Sequence, residues 1–317
     1  MVAGHLILFA VGLTALTLGA DWLVTGAARV ASQRGVSPLM VGLTIVAFGT
    51  SAPELVVSSA AALRGQSGLA LGNVMGSTVA NVGLIVGLGA VIRPIAVHRR
   101  LLRREGPLMI GVLAIVMLLS ANGRVDRLDG ILLLGGFTFY LVYLFRWGRK
   151  DPDLKRADVE VARERGDPGG RGAWLNWARV GFGLVLLLQG ADWLVDSAVT
   201  LATHFQVPEE VIGATMVAVG TSVPELASTI AAAVRGLGDI AIGNVIGSNI
   251  FNMGLVLGTA SVLAPLELSR LALVTEMLPA LGFCMFLIPI AYTGSRVSRL
   301  EGGILLAGYG LFLFALF

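Results

Sequence analysis

Charge is scarce in this sequence. Only 14% of its 317 residues are Asp, Glu, Lys or Arg, against roughly a quarter in a soluble globular chain, which excludes an ordinary water-facing surface. Cysteine is reduced to Cys284, so neither a disulfide framework nor a thiolate metal cluster is available. The three histidines, His5, His98 and His204, fall at the ends of apolar runs without ligand spacing and read as interfacial residues. No GxxxxGK[ST] phosphate loop occurs, which disfavours a pump driven by ATP. Ser51 stands near Glu54 without a histidine beside it, so a hydrolytic dyad is missing and the chain does not read as an enzyme. The first apolar stretch lacks the basic leader of a cleaved signal peptide.

What fills the sequence is hydrocarbon. Hydrophobic residues make up 56% and the mean hydropathy is +0.83. A membrane-crossing helix needs about 20 apolar residues. Ten runs approach this length, at 4–28, 38–63, 69–92, 106–121, 128–145, 177–202, 209–234, 240–264, 272–292 and 300–317. Long unbroken runs predict helices, because each spanning helix satisfies its own backbone; a β-barrel would show short alternating strands. The expected fold is therefore an all-α integral membrane protein of ten transmembrane helices. With the N-terminus outside, inward loops and their edges hold 19 of the 23 Lys and Arg residues, leaving Arg64, Arg124, Arg127 and Arg270 outside. The positive-inside rule then places both termini outside a cytoplasmic (cell inner) membrane and the central loop in the cytoplasm.

The chain repeats itself. Gly19-Ala20-Asp21-Trp22-Leu23-Val24 recurs as Gly190-Ala191-Asp192-Trp193-Leu194-Val195, and Glu54, Asn81 and Pro94 recur as Glu225, Asn252 and Pro265, each 171 residues later. Arg127-Leu128-Asp129-Gly130 matches Arg299-Leu300-Glu301-Gly302 at 172. Five spans per copy is an odd number, so the second copy enters the membrane from the opposite side. Inverted repeats of this kind recur in secondary transporters, with the binding site near the midplane. The expected organisation is a first transmembrane repeat over 1–146, a charged cytoplasmic linker over 147–176 and a second repeat over 177–317.

Gly49-Thr50-Ser51-Ala52-Pro53-Glu54 and Gly220-Thr221-Ser222-Val223-Pro224-Glu225 lie inside predicted spans. On a helix Thr50, Ser51 and Glu54 share a face. Pro53 cannot donate to the carbonyl of Gly49 and kinks the helix, freeing carbonyl oxygen. Hydroxyl, carboxylate and carbonyl oxygens together suit a hard cation such as Ca²⁺. Ser and Thr alone also read as back-bonded helix residues. Glu is different: an ionised group at mid-membrane costs about 2.5–3.5 kcal/mol on the insertion scale and is functional by default.

A second block follows each motif: Gly72-Asn73-Val74-Met75-Gly76-Ser77 with Asn81, and Gly243-Asn244-Val245-Ile246-Gly247-Ser248 with Asn252. Polar residues every fourth position form a stripe, and the paired glycines allow close helix approach. Asn73 and Asn244 fit interhelical hydrogen-bonded glue as well as a ligand role. Asp21 and Asp192 fit gate, helix-end or interface positions; Glu105 and Glu276 fall near loops, where charges are common.

These paired blocks resemble the α-repeats of the Ca²⁺/cation antiporter superfamily, and are most similar to the prokaryotic Na⁺/Ca²⁺ exchangers. The resemblance implies a four-helix core around several cation sites, with Ca²⁺ and Na⁺ as substrates and no cofactor. It implies Glu54 and Glu225 as central carboxylate ligands and Thr50 and Thr221 as donors of backbone oxygen. Ser51 and Ser222, with the carbonyls of Ala47 and Ala218, resemble flanking Na⁺ ligands. Ser77 and Ser248 resemble side-chain supports, and Asn81 and Asn252 line the centre. The first and sixth spans resemble a sliding pair. Some relatives that also move K⁺ carry an acid where Asn252 stands, and the H⁺-coupled branch commonly has Glu where Ser77 and Ser248 stand. Na⁺/Ca²⁺ antiport is thus expected ahead of H⁺/Ca²⁺ or K⁺-dependent exchange, and ahead of a cation channel, which favours a continuous polar pore. Membrane lipid is the one further partner expected; neither nucleic acid nor an obligate protein partner is.

Overall fold

The computed structural model describes residues 2–34, 36–147, 173–205 and 220–316. Ala218 and most of the central linker lie outside the described residues. Within them, long apolar runs become helices. In chain order these are α1 Val2–Arg34, α2 Pro38–Thr50, α3 Ala52–Leu63, α4 Ser67–Ile92, α5 Leu101–Asn122, α6 Arg127–Trp147, α7 Ala173–His204, α8 Val223–Val234, α9 Gly238–Leu263, α10 Leu273–Ser295 and α11 Arg299–Leu316. Seven are long and apolar enough to cross a membrane alone, and α2 with α3 forms one more span bent by 46°. With α8 and α11 the chain makes ten spans in two inverted five-helix repeats, an all-α multi-pass membrane fold. The perimeter is built for lipid: Leu118, Phe139 and Leu311 are about 70% exposed, a surface water would not tolerate in such density.

Two differences from the sequence expectation have local causes. The fourth span starts at Leu101 rather than 106 because a π-helical turn over Leu101–Glu105 extends it. That turn carries Glu105 inward, where it is 1% exposed and pairs with Arg100 at 3.2 Å. Glu105 is therefore a buried partner, not a loop charge. The second span breaks at Ser51 (φ −82°, ψ 7°), and Pro53 sits in the first turn of α3. Proline starts the new helix there, where its missing N–H costs nothing.

Same-side contacts between the halves fix the inversion. Four two-residue strands, β1 Ile95–Ala96, β2 Arg124–Val125, β3 Leu266–Glu267 and β4 Arg296–Val297, pair antiparallel as β1–β4 and β2–β3. Each pair joins one repeat to the other, at opposite membrane faces. Positive-φ glycines obey the same symmetry: Gly65 with Gly236, and Gly123 with Gly294.

Burial separates a core from a frame. The apolar window of α9 is 94% buried and that of α4 72%, whereas the other long spans range from 22% to 39%. Glycine lets α2 reach α9: a methyl group on Gly42 would lie 2.8 Å from the Ile240 carbonyl oxygen. α1 and α7 run antiparallel outside this core, in contact through Gly12, Gly19, Gly183 and Gly190.

Candidate functional site

The bend in the second span, and the start of α8 in the second half, deliver the motif residues to the middle of the molecule. Ser51 and Ser222 leave the helical conformation, and α3 and α8 start immediately after them with Glu54 and Glu225 in the first turn. A helix N-terminus carries a partial positive charge of about half a unit, so each carboxylate sits where the backbone compensates part of its charge. Glu54 is 0% and Glu225 1% exposed. Each has one oxygen engaged and one spare. Ser51 Oγ donates to Glu225 Oε1 at 3.2 Å, and Ser77 Oγ to Glu54 Oε1 at 3.5 Å. The two Oε2 atoms have no hydrogen-bond partner.

Around them the halves interlock. Thr50 Oγ1 donates to Asn244 Oδ1 at 3.3 Å, and its mirror Thr221 Oγ1 to Asn73 Oδ1 at 3.1 Å. Ser222 Oγ donates to Ser77 Oγ at 3.1 Å. Each half's motif segment is thereby held by the other half's buried helix. Asn73 and Asn244 serve as cross-links: Asn73 Nδ2 donates to Ser58 Oγ at 2.9 Å, and Asn244 Nδ2 to Ser228 Oγ and Thr229 Oγ1 at 3.1 Å.

Asn81 and Asn252 are placed differently. Each opens a π-helical turn, Asn81–Val86 in α4 and Asn252–Val256 in α9, a distortion that often marks functional positions. Asn81 Nδ2 donates to Asn249 Oδ1 at 2.8 Å, leaving its own Oδ1 without a partner. Neither amide atom of Asn252 has a partner, nor has Ser248 Oγ. Native interiors leave few buried polar atoms unpaired. Around the two glutamates the unpaired atoms belong to Glu54, Glu225, Asn81, Ser248 and Asn252, all drawn from the residues the sequence singles out.

Ala47 is buried, and its carbonyl accepts from Ser51 N at 2.9 Å and Thr50 Oγ1 at 3.4 Å. Ala218 cannot be placed beside it, being outside the described residues. Sequence reasoning missed Ser58, Ser228, Thr229 and Asn249. A signal existed for two of them, since a hydroxyl follows each motif glutamate by four positions, Ser58 after Glu54 and Thr229 after Glu225. Asn249 has no such signal because Thr78 stands at its mirror position.

Among the described residues no three His, Cys, Asp or Glu side chains converge as a metal-holding group. Two carboxylates with neutral oxygens carry enough charge for one divalent or two monovalent cations. Fewer charged ligands mean weaker cation holding, which suits an ion that must leave again.

Comparison with known proteins gives consistent matches over the whole chain. The family model described as sodium/calcium exchanger protein matches residues 4–146 and 175–317. The putative antiporter CaxA of Alkalimonas amylolytica is 38% identical over 311 residues, covering 96% of this chain and 97% of its own. Sodium/calcium exchanger MaX1 of Methanosarcina acetivorans is 33% identical over 358 residues, covering 100% and 99%. A solved structure of the sodium-calcium exchanger NCX_Mj, soaked with zero Na⁺ and Ca²⁺, matches with a TM-score of 0.85 at 32% identity, with 100% of both chains covered.

Proposed function

The chain belongs to the sodium/calcium exchanger protein family, and from that premise we propose that it is a secondary antiporter exchanging Na⁺ for Ca²⁺ by alternating access across the cytoplasmic membrane. The observation that carries the reading is the pair of buried glutamates, one from each repeat, each with a carboxylate oxygen left unpartnered at a helix start. Glu54 and Glu225 bind Ca²⁺ or Na⁺ in turn, because both cations need the same two negative charges and cannot hold them together. Competition for one charge pair couples the two flows.

Thr50, Thr221, Ala47 and Ala218 contribute backbone oxygen in this reading. Ser51 and Ser222 flank the centre, Ser77 and Ser248 support it, and Asn81 and Asn252 line it with neutral oxygen. Both termini face outside and the 147–176 linker faces the cytoplasm, following the Lys and Arg distribution. The stretches 1–146 and 177–317 act as the two transmembrane repeats.

Flux in proteoliposomes tests the coupling. An outward Na⁺ gradient should drive ⁴⁵Ca²⁺ uptake without added K⁺. Uptake that follows a pH gradient and ignores Na⁺ would move the protein to H⁺ coupling, and uptake only with K⁺ present would make it K⁺-dependent.

A further inference from the structure

The two repeats fill one pair of mirrored clefts outside the cation site differently. Between α5 and α6 lies a cavity of about 640 Å³, within the roughly 300–1,000 Å³ of small-molecule sites, with Ile250 and Gly254 of α9 in its lining. Exposed Leu108, Ile115, Leu132 and Phe139 line it too, so it opens sideways into the hydrocarbon. The mirrored cleft between α10 and α11 is filled. There a methyl on Gly83 of α4 would lie 2.8 Å from the Phe283 ring, which also approaches Gly308 and packs edge-on to Phe312 at 6.4 Å.

Matching the repeats position by position explains the gap. Val112 stands where Phe283 stands, and Gly136, the counterpart of Gly308, has nothing within 4 Å of an added methyl among the described residues. Three further exchanges add polarity at one end. Tyr140 replaces Phe312, Tyr143 replaces Ala315 and Arg104 replaces Thr275, and all three line the cavity. Tyr140 is 5% exposed and its hydroxyl has no hydrogen-bond partner, an expensive state for a buried donor unless something meets it. Glu105 lies at the same end, held by Arg100.

We propose that this groove is a phospholipid site, taking one acyl chain between α5 and α6 and the lipid phosphate at Arg104, Tyr140 and Tyr143. An apolar trough that opens into the bilayer fits the chain. Arg104 in the first turn of α5 and Tyr143 near the end of α6, at the level of the headgroups, with the Tyr140 hydroxyl one turn deeper, fit a phosphate. Phospholipid is the species that surrounds this mouth. The groove also abuts the cation site: Phe137 in its wall packs edge-on to Phe251 at 4.7 Å, next to Asn252.

Photo-crosslinking tests it. The full-length protein is reconstituted with trace phosphatidylglycerol carrying a diazirine on its acyl chain, irradiated and mapped by peptide mass spectrometry. Adducts should concentrate on α5 and α6 lining residues, and Val112→Phe should cut them at least fivefold in protein with unchanged thermal stability. Phe283→Val should open the mirrored cleft and add label to α10 and α11, a readout that survives if Val112→Phe fails to fold. Arg104→Ala should reduce phosphatidylglycerol labelling while leaving labelling by a diazirine alkane unchanged. Adducts spread evenly around the perimeter and indifferent to both Val112→Phe and Phe283→Val would overturn the site. Phosphatidylglycerol labelling unaffected by Arg104→Ala would overturn the phospholipid assignment.

Discussion

Single side chains in the centre divide by whether the fold already uses them. Asn73 is used: it accepts from Thr221 and donates to Ser58, so Asn73→Ala removes the acceptor of part-buried Thr221 and a donor to buried Ser58, which keeps its own bond to the Ala70 carbonyl. Each hydrogen bond lost costs about 0.5–1.5 kcal/mol, and thermal unfolding of the purified variant should show a measurable loss of stability. Asn252 is unused by the fold, with both amide atoms unpartnered. Asn252→Ala should leave the melting temperature nearly unchanged and weaken Ca²⁺ binding in titration; the reverse pattern in the two variants would exchange their roles. At the proposed site protons would compete with cations for the carboxylates of Glu54 and Glu225, because a protonated carboxyl brings no charge to it. Lowering pH should therefore inhibit exchange, and raising Ca²⁺ should relieve the inhibition in flux assays. The glutamates were legible in the sequence since few forces place an acid in an apolar run twice. The division of labour among asparagines was not, because Asn73 and Asn81 lie on one helical stripe and only the opposite half decides what each meets.

Helices α1 and α7 behave as an element pair whose contact is glycine. A methyl on Gly12 would lie 2.8 Å from the Leu194 backbone nitrogen, and one on Gly19 would overlap the backbone of Leu187. Backbone-to-backbone contact at these glycines leaves no room for a methyl group, and if the pair moves during exchange as the resemblance implies, Gly19→Ala should slow exchange more than it lowers Ca²⁺ affinity, as measured by initial rates against binding. Within these helices stand two mirrored acids, Asp21 and Asp192. Asp21 of α1 is ion-paired with Arg235, at the end of α8. Their counterparts Asp192 and Arg64 share no ion pair among the described residues. Among the described residues this pair latches one face, and its mirror image is missing from the other. The Asp21–Arg235 pair is more than a third exposed, so it is worth at most about 1 kcal/mol, a bias of several-fold and no more. Asp21→Asn should raise thiol labelling of a reporter cysteine near position 235 by about that factor, while Asp192→Asn should not; equal labelling in both would remove the latch. The helices themselves were legible from their apolar lengths. A bend at Pro53 was legible too; that the helix stops at Ser51 and restarts with the proline in its first turn was not, because proline is tolerated there as readily as it kinks an interior.

For the whole molecule, the pseudo-symmetry makes one site out of two halves, and every cross-repeat bond from Thr50–Asn244 to Thr221–Asn73 depends on it. Orientation in the bilayer follows from charge placement: a cysteine introduced at Glu160 should be labelled by an impermeant maleimide only from the cytoplasmic side, since Cys284 is buried. Ready labelling from outside intact cells would invert the topology. The repeat and its inversion were legible from the 171-residue offset and the odd span count, whereas the groove beside α5 was not, because Val112 looks unremarkable until Phe283 is seen filling its mirror. The claim on which all else rests is that each half supplies one of two indispensable charges. Glu54→Gln and Glu225→Gln keep the shape of the side chain and remove one charge apiece. Na⁺-driven ⁴⁵Ca²⁺ uptake by each purified, monodisperse variant should collapse to the level of protein-free liposomes, equally for both; near-normal uptake by both would contradict the account.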